Sequence, residues 1–215
     1  MIDLNKLGHQ ISGKLYFMND YLFDIYISYT RDKEVISWLS DHFIPILKHK
    51  VKYELRKEVN VFFDENYLGV SDQIDDKLKN YLTRSKTIIP LWTANYLDSK
   101  YCSIELSYFL ERMKLINKNL LIPIIAHDGY ILKSHFNNII HLDISDCFNS
   151  RMSPYGTLAE RLAELLKKNA RNIAECISYA PPFAIQWQNI NIDESINLLK
   201  NLNDQNPTIS DLPFF

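Results

Sequence analysis

The stretch FDIYISYTRDKEVISWLSDHFIPIL, residues 23–47, decides the fold. Its opening run, FDIYISY (23–29), is almost continuously apolar, as a strand is when both faces of its sheet are covered. The charged turn at Arg31–Lys33 then leads into an amphipathic stretch of helical character, DKEVISWLSDHFIPIL (32–47). Strand followed by helix is the repeating unit of a parallel sheet.

The unit recurs along the chain. Further apolar runs lie at VNVFF (59–63), KTIIPLW (86–92), NLLIPIIA (119–126) and IIHLDI (139–144). SDQIDDKLKNYLTRS follows the second run, with Ser71 as its expected N-cap. LDSKYCSIELSYFLERMKLI (97–116) follows the third, capped by Asp98 or Ser99. HDGYILKSHFNN, after the fourth, is less regular. TLAERLAELLKKNARNIAECI, after the fifth, has Thr157 as its expected cap and Glu160 to complete a capping box. Right-handed crossovers then give an α/β, flavodoxin-like, doubly wound sheet of five parallel strands with helices on both faces. Ligands bind such sheets beyond the carboxyl ends of the strands. Here those ends are Tyr29–Arg31, Asp64–Asn66, Trp92–Thr93 and His127–Asp128. The expected division is a leader over 1–20, one domain over 21–178, and a C-terminal extension over 179–215 that holds a short helix at NIDESINLLKNLN.

Composition narrows the function. The chain has 215 residues, 47% of them hydrophobic, enough for one domain with a sizeable core. A net charge of -2 gives no broad nucleic-acid surface, and KHKVKYELRK (48–57) reads as a solvated helix end. Cys102, Cys147 and Cys176 show no metal spacing and fit a reducing compartment. The N-terminus MIDLNKLGHQ lacks a signal-peptide core, and no run approaches the roughly 18 apolar residues of a membrane span. A cytoplasmic protein is expected. The use of Asn, Lys, Ile and Tyr hints at an AT-rich microbial genome. Five glycines and no GxGxxG argue against a hydride-transfer dinucleotide site. A response regulator would need an Asp where strand three ends in Leu91-Trp92-Thr93.

Glu105 is the residue that asks for an explanation. On a helix it shares its face with Tyr101, Cys102, Tyr108 and Phe109, none of them cationic. Glu111, by contrast, has Lys114 three residues on, as a solvated surface glutamate does. Either Glu105 pairs with a distant Lys or Arg as a buried structural ion pair, or its carboxylate is kept for chemistry.

Three blocks in order resemble the Toll/interleukin-1 receptor (TIR) domain family over about residues 22–170. FDIYISYTRDKE is similar to the first box of the family. VFFDENYLGVSDQIDDKL is similar to the second box and its loop. SKTIIPLWTANYLDSKYCSIEL is similar to the third-strand block, with Ser85, Ser99, Cys102 and Glu105 at the family spacing. In the catalytic branch the Glu of a Ser-x-Trp-Cys-x-x-Glu block is essential for cleaving NAD+, and that position is Glu105 here. Tyr101 stands where Trp is usual, so an aromatic is kept. The loop NYLGVSDQ lacks the Pro-Gly step of animal receptor TIR domains. The resemblance implies a bacterial NAD+-cleaving TIR protein of the kind used in antiphage defence (Thoeris-like), with NAD+ as substrate and no separate cofactor.

The chemistry asks for only one carboxylate. The nicotinamide of NAD+ is cationic and leaves neutral, so no general acid is required, and a carboxylate opposes the charge that develops on the ribose. Tyr101 or Trp92 can stack on a ring. Arg31 and Lys33 can meet the diphosphate. Ser28, Tyr29, Asp64 and Cys102 complete the expected substrate-binding set, Ser28 and Tyr29 as pocket floor by resemblance. Cys102 lacks an activating histidine, and His127 and His141 lack metal spacing. Hydrolysis, cyclisation and transfer of the ADP-ribosyl group all stay open, as does an effector protein that reads the product. So does a non-catalytic scaffold that joins TIR domains through the 64–73 loop. TIR–TIR self-association is expected to complete the site.

Overall fold

The computed structural model describes residues 20–64, 72–126, 136, 139, 141–149 and 151–204. The leader before Asp20, Ser71, most of the 64–73 loop, His127 and the tail after Asp204 lie outside the described residues. Five strands form one parallel sheet in the order β2-β1-β3-β4-β5: β1 Phe23–Ser28, β2 Val61–Phe62, β3 Ser85–Trp92, β4 Ile124–Ile125 and β5 Leu142–Asp143. This is the doubly wound flavodoxin-like order expected from the sequence. The strands β2, β4 and β5 are shorter than the apolar runs that contain them.

The two faces have separate cores, and the period of a strand assigns residues to them. Ile25 and Ile27 of β1, and Tyr29 just past its end, point one way. They meet α1 (Lys33–Trp38), α2 (Ile44–Leu55) and α5 (Thr157–Tyr179). The stripe Leu162, Leu166, Ala170, Ile173 and Ile177 is the buried side of α5. Tyr26 points the other way. It packs with Leu78 and Leu82 of α3 (Asp72–Thr83), Leu106 and Phe109 of α4 (Lys100–Ile116) and Leu199 of α6 (Asp193–Asp204).

Two local details differ from the sequence reading. The stretch read as one helix over 32–47 contains a π turn at Leu39–Phe43. Pro45 lacks the N–H that would continue the α ladder, and the wider turn accommodates it. Gly156, not Thr157, occupies the cap position of α5 and makes no side-chain cap bond. The turn that brings Gly156 N–H to the Ser153 carbonyl places the helix start one residue earlier than expected, so the capping box does not form.

At the amino edge of the sheet, Asp24 ties three strands together. Its buried carboxylate accepts from Lys86 at 2.7 Å, Lys57 at 3.1 Å and the Asn60 amide at 3.1 Å. Burial alone would raise its pKa. The Lys86, Asn60 and Lys57 contacts outweigh burial and hold it below its ordinary value.

The segment after α5 folds back on α4. Arg112 of α4 is fully buried. Its guanidinium donates to the Ser85 carbonyl at 2.7 Å and to the Tyr21 hydroxyl. The Trp187 ring covers it at 4.1 Å, from the short 3₁₀ turn Ile185–Asn189. A desolvated cation over an indole is worth about 2 kcal/mol. Glu111 belongs to the same contact: it accepts from Lys114 at 2.9 Å and from buried Ser195 of α6 at 2.7 Å. It is therefore an interface residue rather than the solvated surface glutamate expected. Among the described residues no helix is long and apolar enough to cross a membrane.

Asp24→Ala is expected to destabilise the protein by about 1–3 kcal/mol, because it strands two lysines and an amide at a mostly buried site. The lowered pKa of Asp24 means its contribution is present above the unfolded value. It is lost as pH falls through the folded one. Urea unfolding should show the wild-type advantage at pH 7 and its loss at acidic pH.

Candidate active site

The site grows from β1 and the first turns of α4. Ser99 caps α4, its side chain accepting from the Cys102 amide at 3.4 Å. That start fixes the phase of the helix and turns Glu105 toward the sheet. On β1 the residues facing α4 are Tyr26 and Ser28, two apart. Tyr26 donates to one carboxylate oxygen of Glu105 at 2.7 Å, and Ser28 donates to the other at 2.6 Å. Behind Ser28, the hydroxyl of fully buried Tyr96 lies 2.6 Å from its Oγ. With Ser28 donating to the carboxylate, Tyr96 donates to Ser28.

Glu105 makes no ion pair among the described residues, so the structural-pair alternative finds no partner there. Burial raises its pKa from 4.5 to about 7. The Ser28 and Tyr26 hydroxyls and the Arg31 charge pull it back down, and Asp64 pushes it up. The carboxyl is thus poised between its two forms near neutrality. Tyr26 and Tyr96 are raised well above their ordinary value, chiefly by burial, and stay protonated donors.

Two cavities meet at Glu105. The first is a polar crevice of about 20 Å³ at the carboxyl edge of the sheet, bordered by Tyr29, Arg31, Asp64, Ser99 and Tyr101. Arg31 pairs with Asp64 at 3.0 Å and lies over the Tyr101 ring at 5.0 Å. A diphosphate would therefore have to share Arg31 with Asp64. Tyr29 donates to the Asp64 carbonyl at 2.5 Å, which fixes the segment after β1 against the segment after β2. Lys33 is exposed in the first turn of α1. The second cavity, about 330 Å³ and mainly apolar, runs between α3, α4 and the segment after α5. Tyr26, Tyr101 and Glu105 border both.

Of the residues read from the sequence, Glu105, Ser28, Tyr29, Arg31, Asp64 and Tyr101 come together here. Three do not reach the open space: Ser28, fully buried behind the Glu105 carboxylate, Trp92 and Cys102. Trp92 is fully buried against Phe136 at 5.3 Å and lines neither cavity at Glu105, so of the two rings read from the sequence only Tyr101, 41% exposed, has an open face there. Cys102 is 1% exposed in the core beneath α4. Burial, and then the Glu105 charge, push its thiol up to about 12, so it is a packing residue. Sequence reading missed Tyr26 and Tyr96. Tyr26 was legible in principle, because a strand with polar atoms at 24, 26 and 28 carries them all on one face. Tyr96 comes from a loop and left no periodic signal. No group of three or more His, Cys, Asp or Glu among the described residues is placed to hold a metal ion.

No curated protein matches the chain. A solved structure titled as the activated Roq1 resistosome directly recognizing the pathogen effector XopQ, in its TIR domains, aligns at 16% identity. The alignment covers 73% of this chain and 95% of that one, with a TM-score of 0.35, too loose a likeness to carry an argument. The sequence profile of the TIR domain matches residues 25–158, which holds every strand but the first residues of β1 and the whole Glu105 site. The chain belongs to the TIR domain family.

Proposed function

We propose that this TIR domain cleaves the nicotinamide–ribose bond of NAD+, with Glu105 as the catalytic carboxylate. One observation carries the reading: a carboxylate without an ionic partner among the described residues, held by two hydroxyls where two cavities meet. Such a group has its charge left to oppose a positive centre in the substrate. The bond breaks with its electron pair going to the ring nitrogen, which turns a cationic ring into a neutral leaving group. The ribose carbon becomes oxocarbenium-like, and the ionised Glu105 lies opposite it. Water or an acceptor hydroxyl then bonds to that carbon and passes its proton to the carboxylate, whereas a ring nitrogen bonds through its lone pair and takes up the positive charge. With a pKa of about 7, Glu105 can take that proton.

The resemblance stated from the sequence extends this proposal. The product is an ADP-ribose-derived signal, free, cyclic or conjugated, made in the cytoplasm during bacterial antiphage immunity and read by a separate effector protein. TIR–TIR self-association brings the enzyme to its active form. Neither nucleic acid nor membrane is needed as a partner.

Glu105→Ala and Glu105→Gln should each lower nicotinamide release by about 10²–10³-fold or more. The assay is release from NAD+ with mass-spectrometric product identification, at high protein concentration and with phage-infected lysate added. Equal release from folded variants would return Glu105 to a structural role and favour a scaffold.

The wild-type rate should rise with pH through about 7 and level off above it, as Glu105 ionises. Tyr26→Phe removes one charge-assisted donor, so the rise should move up by about one pH unit. A carboxyl-carbon NMR titration would follow the same shift without turnover.

The raised pKa also predicts a stability effect. The folded state holds the Glu105 proton between 4.5 and about 7, and the unfolded state releases it. Folding is favoured at the acid end of that window and loses this advantage as pH rises through it. Glu105→Gln should therefore melt a few degrees above wild type at pH 8, with the gap closing near pH 5. A gap that does not change with pH would show that burial does not govern this carboxyl.

A further inference from the structure

The mainly apolar cavity at Glu105 has walls from three elements: Leu78 and Leu82 of α3, Ile104 and Tyr108 of α4, and Ile190 and Ile192 of the segment after α5. The three isoleucines are only half-buried, so this chamber presents apolar surface that the described residues leave uncovered. Its rim differs in character: Lys79 and Lys100 border it and are exposed.

The chain itself supplies a segment of matching chemistry. Residues 205–215, QNPTISDLPFF, follow α6 and lie outside the described residues. They set one acid, Asp211, directly before the apolar run Leu212, Pro213, Phe214 and Phe215. Size agrees: a dry cavity of about 150 Å³ accepts one benzene ring, and the chamber, at about 330 Å³, has room for two. Charge agrees: with both rings inside, Asp211 comes to the rim where Lys79 and Lys100 stand. Length agrees as well. α6 starts at Asp193, next to Ile192 of the chamber wall, and rises about 18 Å to Asp204. The extended chain from Asp204 to Phe215 spans up to about 36 Å, twice that distance. Tethering presents the rings at roughly millimolar effective concentration, so a weak intrinsic affinity is enough.

We propose that residues 212–215 dock in the chamber of their own chain, with Phe214 and Phe215 as the anchoring rings and Asp211 against Lys79 and Lys100. Tyr26, Tyr101 and Glu105 border the chamber as well as the polar crevice, so docked rings cover the open side of the Glu105 carboxyl. The tail is then a built-in block on the site, and a partner or a change of assembly that draws it away exposes Glu105. The docking is independent of any reaction. Its effect on rate rests on the NAD+-cleavage reading.

The test uses the full chain with labelled isoleucine methyl groups and phenylalanine rings, read by NMR. Nuclear Overhauser contacts should join the Phe214 and Phe215 rings to the Ile104, Ile190 and Ile192 methyls. In the double variant Phe214→Ala, Phe215→Ala those three methyls should shift, while that of Ile185, 61% exposed and outside the chamber, should stay. Circular dichroism confirms that the variant is folded, and the wild-type contacts decide the docking even where it is not. Contacts from residues 1–19 instead, or contacts seen only between differently labelled chains in a mixed sample, overturn docking of the chain's own tail. The same pair of proteins is then assayed for nicotinamide release from NAD+. A tail docked in about nine chains of ten leaves about one in ten open, so the double variant should release about tenfold faster. Equal release from the two, with the contacts present in wild type, overturns the block. Release without the contacts overturns the docking and leaves the cleavage reading intact. Contacts without release from either protein support the docking and count against the cleavage reading.

Discussion

A carboxylate set against the middle of a buried parallel sheet must be compensated where it stands. Taking it out of water costs several kcal/mol unless hydrogen bonds replace the lost solvent. Here the replacement comes from one strand face. Tyr26 and Ser28 share that face because side chains on a strand repeat every two residues, and each reaches a different oxygen of Glu105. A slip of β1 by one residue would exchange them for Ile25 and Ile27 and leave the carboxylate without donors. The register of β1 against β3, set along Phe23–Ser28, is therefore also the register of the site.

The helix that carries Glu105 is held from both ends by different means. Its start is fixed by the Ser99 cap. Its later turns are fixed by a buried cation that has a carbonyl, a phenol and aromatic faces in place of a carboxylate. Without Trp187, Arg112 would lose its cover, so the segment after α5 is energetically tied to α4. That tie runs along the same helix as Glu105, about two turns away. It connects the packing of the C-terminal segment to the shape of the space beside Glu105.

The fold was legible because its signals are local. Apolar runs of strand length, helices between them and three family blocks in order suffice to place five strands in a doubly wound sheet. Glu105 stood out for a local reason too, since its helical neighbours offer no positive charge. What stayed hidden depends on contacts distant in sequence. Tyr96 meets Ser28 across 68 positions. Glu111 looked solvated because its neighbour Lys114 is visible in sequence, while Ser195, 84 positions away, is not. Trp92 and Tyr101 are both aromatic at strand and helix ends, and only packing tells the buried ring from the exposed one. Gly156 took the cap position from Thr157 because a turn that starts at Ser153 sets where the helix begins.

The environment of Glu105 is a balance between two failures. With more burial and fewer donors, the group would hold its proton at neutral pH and carry no charge to set against a ribosyl cation. With a lysine or arginine in direct contact, it would be ionised at any working pH, but its field would already be spent on that partner. Two neutral hydroxyls are an intermediate solution. They stabilise the ionised form through hydrogen bonds without cancelling its charge, and Arg31 acts from the crevice while engaged with Asp64. The result is a carboxyl with a pKa of about 7, ionised often enough to stabilise positive charge and basic enough to accept a proton afterwards. A structural glutamate has no need of either property. Their coincidence at the meeting of a polar crevice and an apolar chamber is the physical case for chemistry at this residue.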